Sequence, residues 1–448
     1  MKISVRLFVV AGLFLGAMTS GIARGDDPPK RTSPDYAARP PAKSTPGEVA
    51  LWVPRVVFSP VYFTTEYLIR RPLGALISAA ERANVPATLY DFFAFGPEHK
   101  AGLAPIAFVD FGFNPSVGIY AFWDDAFFKG DDLRMHVSAW PEEWLGGSAV
   151  QRIRFQHDAS LTLRVAGIRR PDYTFFGTGP RSLESAESRY GEDTIEGGPS
   201  AEFSLWRSSK VDTGLGIRYA RFYDGHYSGD PGIVERASTG AFGLPDGFAR
   251  GYTAEYNHVR GALDSRRPFP DEGSGIRLEA AAEQGSDFGQ TPGSGWVRWD
   301  AAAGGFLDLD GHRRVVSLSL QTLFSDPIGT RGVPFTELVT LGGDAAPMPG
   351  FFPGRLIDRS AAVATLRYRW PIGPWLDGSM EAGVGNVFGE HLEDFQTRLL
   401  RFSGALGLES DSSPDSNFHF LIGFGTETFD HGGQVDSFRL AIGTSRGL

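Results

Sequence analysis

The side chains in this sequence whose types and spacing could do chemistry are arginines and carboxylates set around one glycine- and proline-rich stretch. Residues 342–360, GGDAAPMPGFFPGRLIDRS, carry Arg355 and Arg359 together with Met348, Gly350, Phe351 and Gly354. A guanidinium is a rigid fork of donors that grips a carboxylate through two parallel hydrogen bonds, so such a stretch can be pinned to a charged wall. Histidine offers less. The nine histidines are scattered, and none sits with serine or a carboxylate in a hydrolase pattern. His419, between Phe418 and Phe420, reads as a solvated polar residue of a strand, and Asp124-Asp125 and Glu142-Glu143 read as rim charges. H-E-x-x-H, G-x-S-x-G and the P-loop are absent, and Gly383-x-Gly385 reads as strand packing, not a phosphate cradle. The expectation is therefore a protein that is not an enzyme, with no catalytic, cofactor-binding or metal-binding residues.

The elements that position this stretch follow from the hydrophobic period. Directly after it, Ala362, Ala364, Leu366, Tyr368 and Trp370 alternate with Thr365, Arg367 and Arg369. Two arginines within three residues are costly against lipid but easily solvated in a water-filled lumen. Period two recurs from about residue 105 to the end, predicting sixteen strands. They begin near 105, 116, 131, 150, 160, 195, 211, 248, 273, 294, 312, 360, 376, 398, 417 and 435. Ile276, Leu278 and Ala280 opposite Arg277 and Glu279 are typical. Connections after even-numbered strands are mostly short, whereas 171–194, 225–247 and 327–359, after odd-numbered ones, are long. Short turns on one rim and long loops on the other mark a membrane barrel, closed because an open edge in lipid has no water to bond. The predicted fold is all-β: a sixteen-stranded antiparallel transmembrane barrel over 105–448, preceded by a short helical segment.

The N-terminus and the composition fit export. Lys2 and Arg6 precede an apolar run from Leu7 to Met18, with small residues near Ala23–Gly25, the layout of a signal peptide over 1–25. Residues 26–47 read as a flexible proline-rich leader. Over 48–96, Ser59-Pro60 is a helix start, and Leu73, Leu76, Ile77 and Ala80 have helical spacing. These helices are a cap packed on the barrel, or an interfacial or lumen-inserted element marked by Trp52, Tyr62, Tyr67, Arg70 and Arg71. After residue 25 no run approaches the roughly 20 apolar residues of a membrane-spanning helix. There are no cysteines, which excludes disulfides and thiolate metal sites. Glycine is 57 of 448 residues, near twice the usual fraction of about 7%, as in a turn-rich β protein. The net charge of −10 argues against nucleic acid. The outer membrane of a bacterium is the expected location, with its lipids as partners.

With the strands numbered, the arginine-bearing stretch becomes the loop between strands eleven and twelve. It resembles the long sixth extracellular loop of the BamA/TamA-type surface-antigen superfamily, whose R-G-F/Y signature folds back into the lumen of a sixteen-stranded barrel. Here Met348-Pro349-Gly350-Phe351 keeps the glycine and aromatic, with proline at the arginine position. Ser379-Met380-Glu381-Ala382-Gly383 loosely matches the family's F-x-D-x-G on strand thirteen, which the loop arginine meets. Asp264-Ser265-Arg266 followed by Gly273 is similar to its D-x-R periplasmic turn, and Phe176-Gly177-Thr178-Gly179 is also familiar. The resemblance implies that Arg355, or failing that Arg359, pairs with Glu381, where Gly383 leaves room for the loop. It implies an insertase- or translocase-like role in protein or lipid insertion, with unfolded proteins or a periplasmic protein as further partners. The family's substrate-receiving POTRA modules have no counterpart in residues 26–100, and a passive pore or surface-structural barrel is the alternative.

Overall fold

The computed structural model describes residues 52–445, apart from 58, 83–91, 142, 157–158, 269–271, 290–292, 330, 344–345, 374–375 and 411–416. The signal peptide and leader expected over 1–47 lie outside the described residues. Sixteen antiparallel strands close into one barrel: β1 (Ala101–Asp110), β2 (Ser116–Asp124), β3 (Asp131–Trp140), β4 (Trp144–Gln156), β5 (Ala159–Phe175), β6 (Ser188–Ser204), β7 (Lys210–Asp224) and β8 (Tyr252–Asp264). The second half is β9 (Gly275–Asp287), β10 (Ser294–Asp308), β11 (Val315–Ile328), β12 (Ser360–Pro371), β13 (Leu376–Phe388), β14 (Arg401–Ser410), β15 (Asn417–Thr426) and β16 (Val435–Ser445). Each strand pairs with its sequence neighbours, and β16 returns to β1. This is the predicted strand count and order.

Alternation sets the two surfaces. On β9, Ile276 and Leu278 are exposed on the outside, while Arg277 and Glu279 form a 2.6 Å ion pair on the inner face. Ile119, Val137, Val165, Ile195, Ile217, Leu318 and Leu320 continue the outer apolar surface. Inside, Arg218 meets Glu196, Glu283 and Glu337. Apolar outside and ion-paired inside is the arrangement of a membrane barrel. The long strands β5 and β6 rise beyond the others, and β6 starts at Ser188, ahead of the expected 195. There the Ser188 hydroxyl donates to Phe175 O and Tyr190 stacks on Tyr173, so tertiary contacts extend the ladder past its apolar signal.

The helical segment forms and takes one of its two expected places. Helices α1 (Trp52–Val57), α2 (Ser59–Thr64) and α3 (Arg71–Arg82) form, with a π-helical turn at Thr65–Arg70 between the last two. Pro72 has no N–H for the carbonyl four residues back, and a widened turn is a usual remedy at such a point. The expected end of the helical segment near Phe92–Phe95 is met by helical Phe92 and Phe93, after which Ala94–Phe95 is a short strand paired with Gly102 and Ala101 of β1. Either the lumen or the periplasmic rim was open for the helices. The structure places them at the short-turn rim, against the outer wall. Val61, Ile69 and Leu73 pack on a cluster holding Tyr368, Trp370, Val316 and Met380. Tyr368 pairs across with Val316 and Met380, on the opposite face of β12 from Thr365 and Gly383, which look onto the inward-folded loop. Glu66 is buried and pairs with Arg314 of the β10–β11 turn at 3.2 Å. A helix outside the wall does not obstruct the lumen. Deleting residues 26–95 should leave single-channel conductance in planar bilayers unchanged, and a rise would put the helices back inside.

Candidate functional site: the lumen loop and the seam

The loop between β11 and β12 owes its position to apolar residues that have nowhere else to be buried. Val339–Leu341 and Leu356–Asp358 pair as a small hairpin. Val339, Leu341, Met348, Phe351 and Leu356 pack with Ala361, Val363 and Val387 of the barrel wall into one buried cluster. Phe351 is fully buried, its ring lying over Gly425, where a Cβ would come within 2.3 Å. Gly350 fits where only glycine can, since a Cβ there would meet the Phe424 carbonyl oxygen at 2.1 Å. Its N–H donates to Ser403 Oγ (3.0 Å), and its carbonyl accepts from Ser437 Oγ (3.1 Å). Gly354, at φ +78°, presses against Thr174 of β5. Met348 sits over Gly383, so the room expected at that glycine is filled by the loop.

Arg355 is buried, but its partner is not Glu381. Its guanidinium pairs with Asp436 of β16 at 2.8 Å, approaches Glu427 at 3.7 Å, and donates to the Ser182 carbonyl at 3.0 Å. Arg401 of β14 shares these acceptors, at 3.0 Å from Glu427 and 2.8 Å from Ser182 O. Two guanidiniums and two carboxylates thus form one buried network under the 176–187 loop. Phe176 lies beneath Arg355, and the Gly179 N–H bonds to Ile357 O, which gives the Phe176–Gly179 motif its role. Arg359 is elsewhere again, paired with Asp326 and Glu390 at the rim. Asp326, Glu390 and His391 gather three possible metal ligands within 4.8 Å, but Arg359 already supplies the cation between the two carboxylates. Glu381 keeps inner-face company with Arg367, whose guanidinium pairs with Glu409 at 2.5 Å. The expected partnership fails because the glycine tip seats against β14–β16 and carries Arg355 past β13.

The charge lost at Pro349 is supplied from the opposite side. Arg439 of β16, fully buried, donates to Pro349 O at 3.4 Å and pairs with Asp110 of β1 at 2.7 Å. Loop tip, β16 and β1 therefore meet at one guanidinium. They meet where, among the described residues, the backbone ladder is thinnest: β16 and β1 share three residue pairs, Ala441–Asp110, Ile442–Val109 and Gly443–Phe108, flanked by one more backbone bond from the Phe111 N–H to Leu440 O. The flanking ladders, β1–β2 and β15–β16, run to eight and ten. Beyond the three pairs, Ala94–Phe95 occupies part of the β1 edge. The outer end of β1 is also tied to the loop and to β5, because Phe113 packs on Phe352 of the loop and the Asn114 N–H donates to Asp172 of β5.

A second anchor was not visible from the sequence. Glu337, in the loop, is buried against Arg218 at 2.9 Å and Arg298 at 3.4 Å, and accepts from the Tyr252 hydroxyl. Burial alone would raise its pKa, but Arg218, Arg298 and the Tyr252 hydroxyl outweigh it and hold the carboxyl below its usual range. Phe335, two residues earlier, fills an aromatic cluster with Phe175, Tyr190 and Phe222. A chamber of about 380 Å³ remains beside it, lined in part by Tyr173, Glu192, Arg218 and Tyr252. At the short-turn rim, Arg266 pairs with Asp264 at 2.6 Å and lies over the Phe306 ring, closing the Asp264–Arg266 turn.

Among solved structures, the chain is similar to BamA from Haemophilus ducreyi lacking POTRA domains 1–3, at TM-score 0.51 and 14% identity over 77% of this chain and 70% of that one. CdiB from Acinetobacter baumannii gives TM-score 0.46 at 13% identity over 77% and 59%. Pseudomonas aeruginosa OccK11 gives 0.36 at 11% over 77% and 94%. At these identities the likeness is one of fold. No protein-family model and no curated protein matches the sequence.

Two outcomes follow for the loop. Arg355→Ala leaves Arg401 alone against the two carboxylates Glu427 and Asp436; losing one partner of a buried ion network costs up to about 3–5 kcal/mol, and the change should speed amide exchange across 346–358, whereas Glu381→Gln should not. Glu337 has a depressed folded-state pKa, so its contribution is present above its unfolded value and is lost as pH falls through the lower folded one. Loop protection measured by hydrogen exchange should hold down to its ordinary value of 4.5 and fall only below it. In Glu337→Gln that acid step should be much reduced.

Proposed function

We propose that this membrane barrel works at its β1–β16 seam as a non-enzymatic outer-membrane device through which polypeptide strands or lipids insert or pass. The observation that carries this reading is the short seam, with three residue pairs among the described residues. In a barrel whose other ladders are long, a junction with so few backbone bonds is the least costly to part, and a parted edge presents unpaired N–H and C=O groups to an incoming strand. The fold likeness to BamA supports the reading, as does an inward loop whose glycine–aromatic tip resembles that superfamily's. Trp52–Val57 and Ser59–Arg82 are helical, so this stretch is not itself a POTRA module. Its partners would be outer-membrane lipids and unfolded protein chains.

The natural absence of cysteine makes a clean test. Val109 and Ile442 are direct cross-strand partners, and such pairs lie within the roughly 4.4–6.8 Å Cα separation that a disulfide spans. The wild-type protein in phosphatidylcholine–phosphatidylglycerol vesicles should accelerate insertion of a urea-unfolded small β-barrel. Oxidised Val109→Cys/Ile442→Cys should lose that acceleration, regain it on reduction, and keep its conductance throughout. Insertion unaffected by the locked seam, or no acceleration by the wild type, would leave a passive pore.

A further inference from the structure

The N-terminal helices present a second apolar face that the barrel does not cover. Along α2 and the π-helical turn, Val61, Thr65, Glu66 and Ile69 turn toward the wall. Phe63 and Tyr67, one turn apart on the other side, are more than half exposed, with their rings stacked at 6.3 Å. Arg71 lies over the Tyr67 ring at 4.3 Å, and on α1 Trp52, Val53, Val56 and Val57 are all exposed. Exposed apolar residues in such a row call for a covering surface.

The covering surface follows from what the helices rest on. Tyr368, Trp370, Val316 and Met380 lie on the outward face of their strands, the face on which Leu318, Leu320 and Leu366 stand exposed one or two pairs further along. That face is the lipid contact of a membrane barrel. The helices therefore continue the lipid-facing surface at the short-turn rim, where bilayer headgroups meet the wall. Their composition matches that depth: Trp, Tyr and Phe beside an arginine whose guanidinium lies over a ring are the residues of a membrane–water interface. Glu66 would be costly at that depth if unpaired. Arg70 at 2.8 Å, Arg314 at 3.2 Å and the half-exposed Arg71 at 3.4 Å neutralise it, and both it and Arg314 are turned away from the exposed face.

We propose that residues 52–71 form an interfacial anchor lying in the bilayer leaflet at the short-turn rim, with Trp52, Phe63 and Tyr67 among its acyl chains and Arg71 at the phosphates. Held there against β11–β14, the anchor would displace headgroups near the seam and fix where the following chain, through Ala94–Phe95, reaches the β1 edge. The inference rests on the membrane barrel and is independent of the insertion reading.

Single cysteines at Phe63, Tyr67 and Val61 in the full-length protein, labelled with bimane and reconstituted in phosphatidylcholine–phosphatidylglycerol vesicles, test it. Phe63→Cys and Tyr67→Cys alter exposed side chains only, and heat-modifiable mobility on gels reports folding. Labels at 63 and 67 should be quenched by shallow brominated lipids and shielded from iodide, while a label at Val61 should be reached by neither. A label at the loop residue Ser228 is the iodide-accessible control. Iodide quenching at 63 and 67 equal to that at 228, with no effect of brominated lipid, would overturn the anchor and leave the face to water or a soluble partner.

Discussion

A barrel in lipid must close, because hydrocarbon offers no water to a strand edge. Among the described residues, fifteen of the sixteen junctions meet that demand with ladders of seven to fifteen residue pairs; the junction of β16 with β1 meets it with three. The inner architecture can be understood as compensation for that short ladder. Arg439 and Asp110 bridge the seam with a fully buried ion pair, Pro349 offers its carbonyl to the same guanidinium, and Ser437 holds Gly350. Side chains and a loop tip do what backbone bonds do elsewhere. They differ in being separable without unfolding a strand, which is the property a working seam needs.

The loop is held at both ends, and the two anchors have different physics. Near the seam the restraint is steric: Gly350 sits against the β15 backbone and the Phe351 ring over Gly425. On the far wall Glu337 is fixed by charge, between Arg218, Arg298 and Tyr252. Ordering some thirty loop residues costs backbone entropy of order 1–2 kcal/mol per residue, so neither anchor alone is sufficient. The buried Arg355–Arg401–Asp436–Glu427 network joins the loop to β14 and β16, and buried ion networks are better at specifying position than at adding stability.

Much of the fold was legible because membrane barrels write period two and asymmetric loops into the sequence. The alternation on β9 and β12 gave strands and faces, and the loops placed 327–359 between β11 and β12. The loop's destination was legible through Gly350, Phe351 and Gly383, whose small or aromatic character fits close approach. Ion-pair partners were not. Arg355 was expected beside Glu381, but its partner is fixed by where a glycine tip docks across β14–β16, a three-dimensional fact that spacing does not encode. Glu337 gave no signal, being one carboxylate in an ordinary loop sequence until Arg218 of β7 and Arg298 of β10 converge on it. Tyr368 and Trp370 were legible as one face of a strand, but not as the face that a helix from residue 59 onward would cover.

The central claim is that the β1–β16 junction is the weak, side-chain-held closure of an otherwise continuous barrel. Hydrogen–deuterium exchange of the full-length protein in lipid bilayers measures this most directly, because it reports backbone opening strand by strand. Amides of β16 and of β1 over 103–110 should exchange well before those of β9 and β10, whose ladder runs to thirteen pairs. Arg439→Gln should widen that gap without changing β9 and β10. Equal protection around the whole barrel, unchanged in Arg439→Gln, would contradict the account.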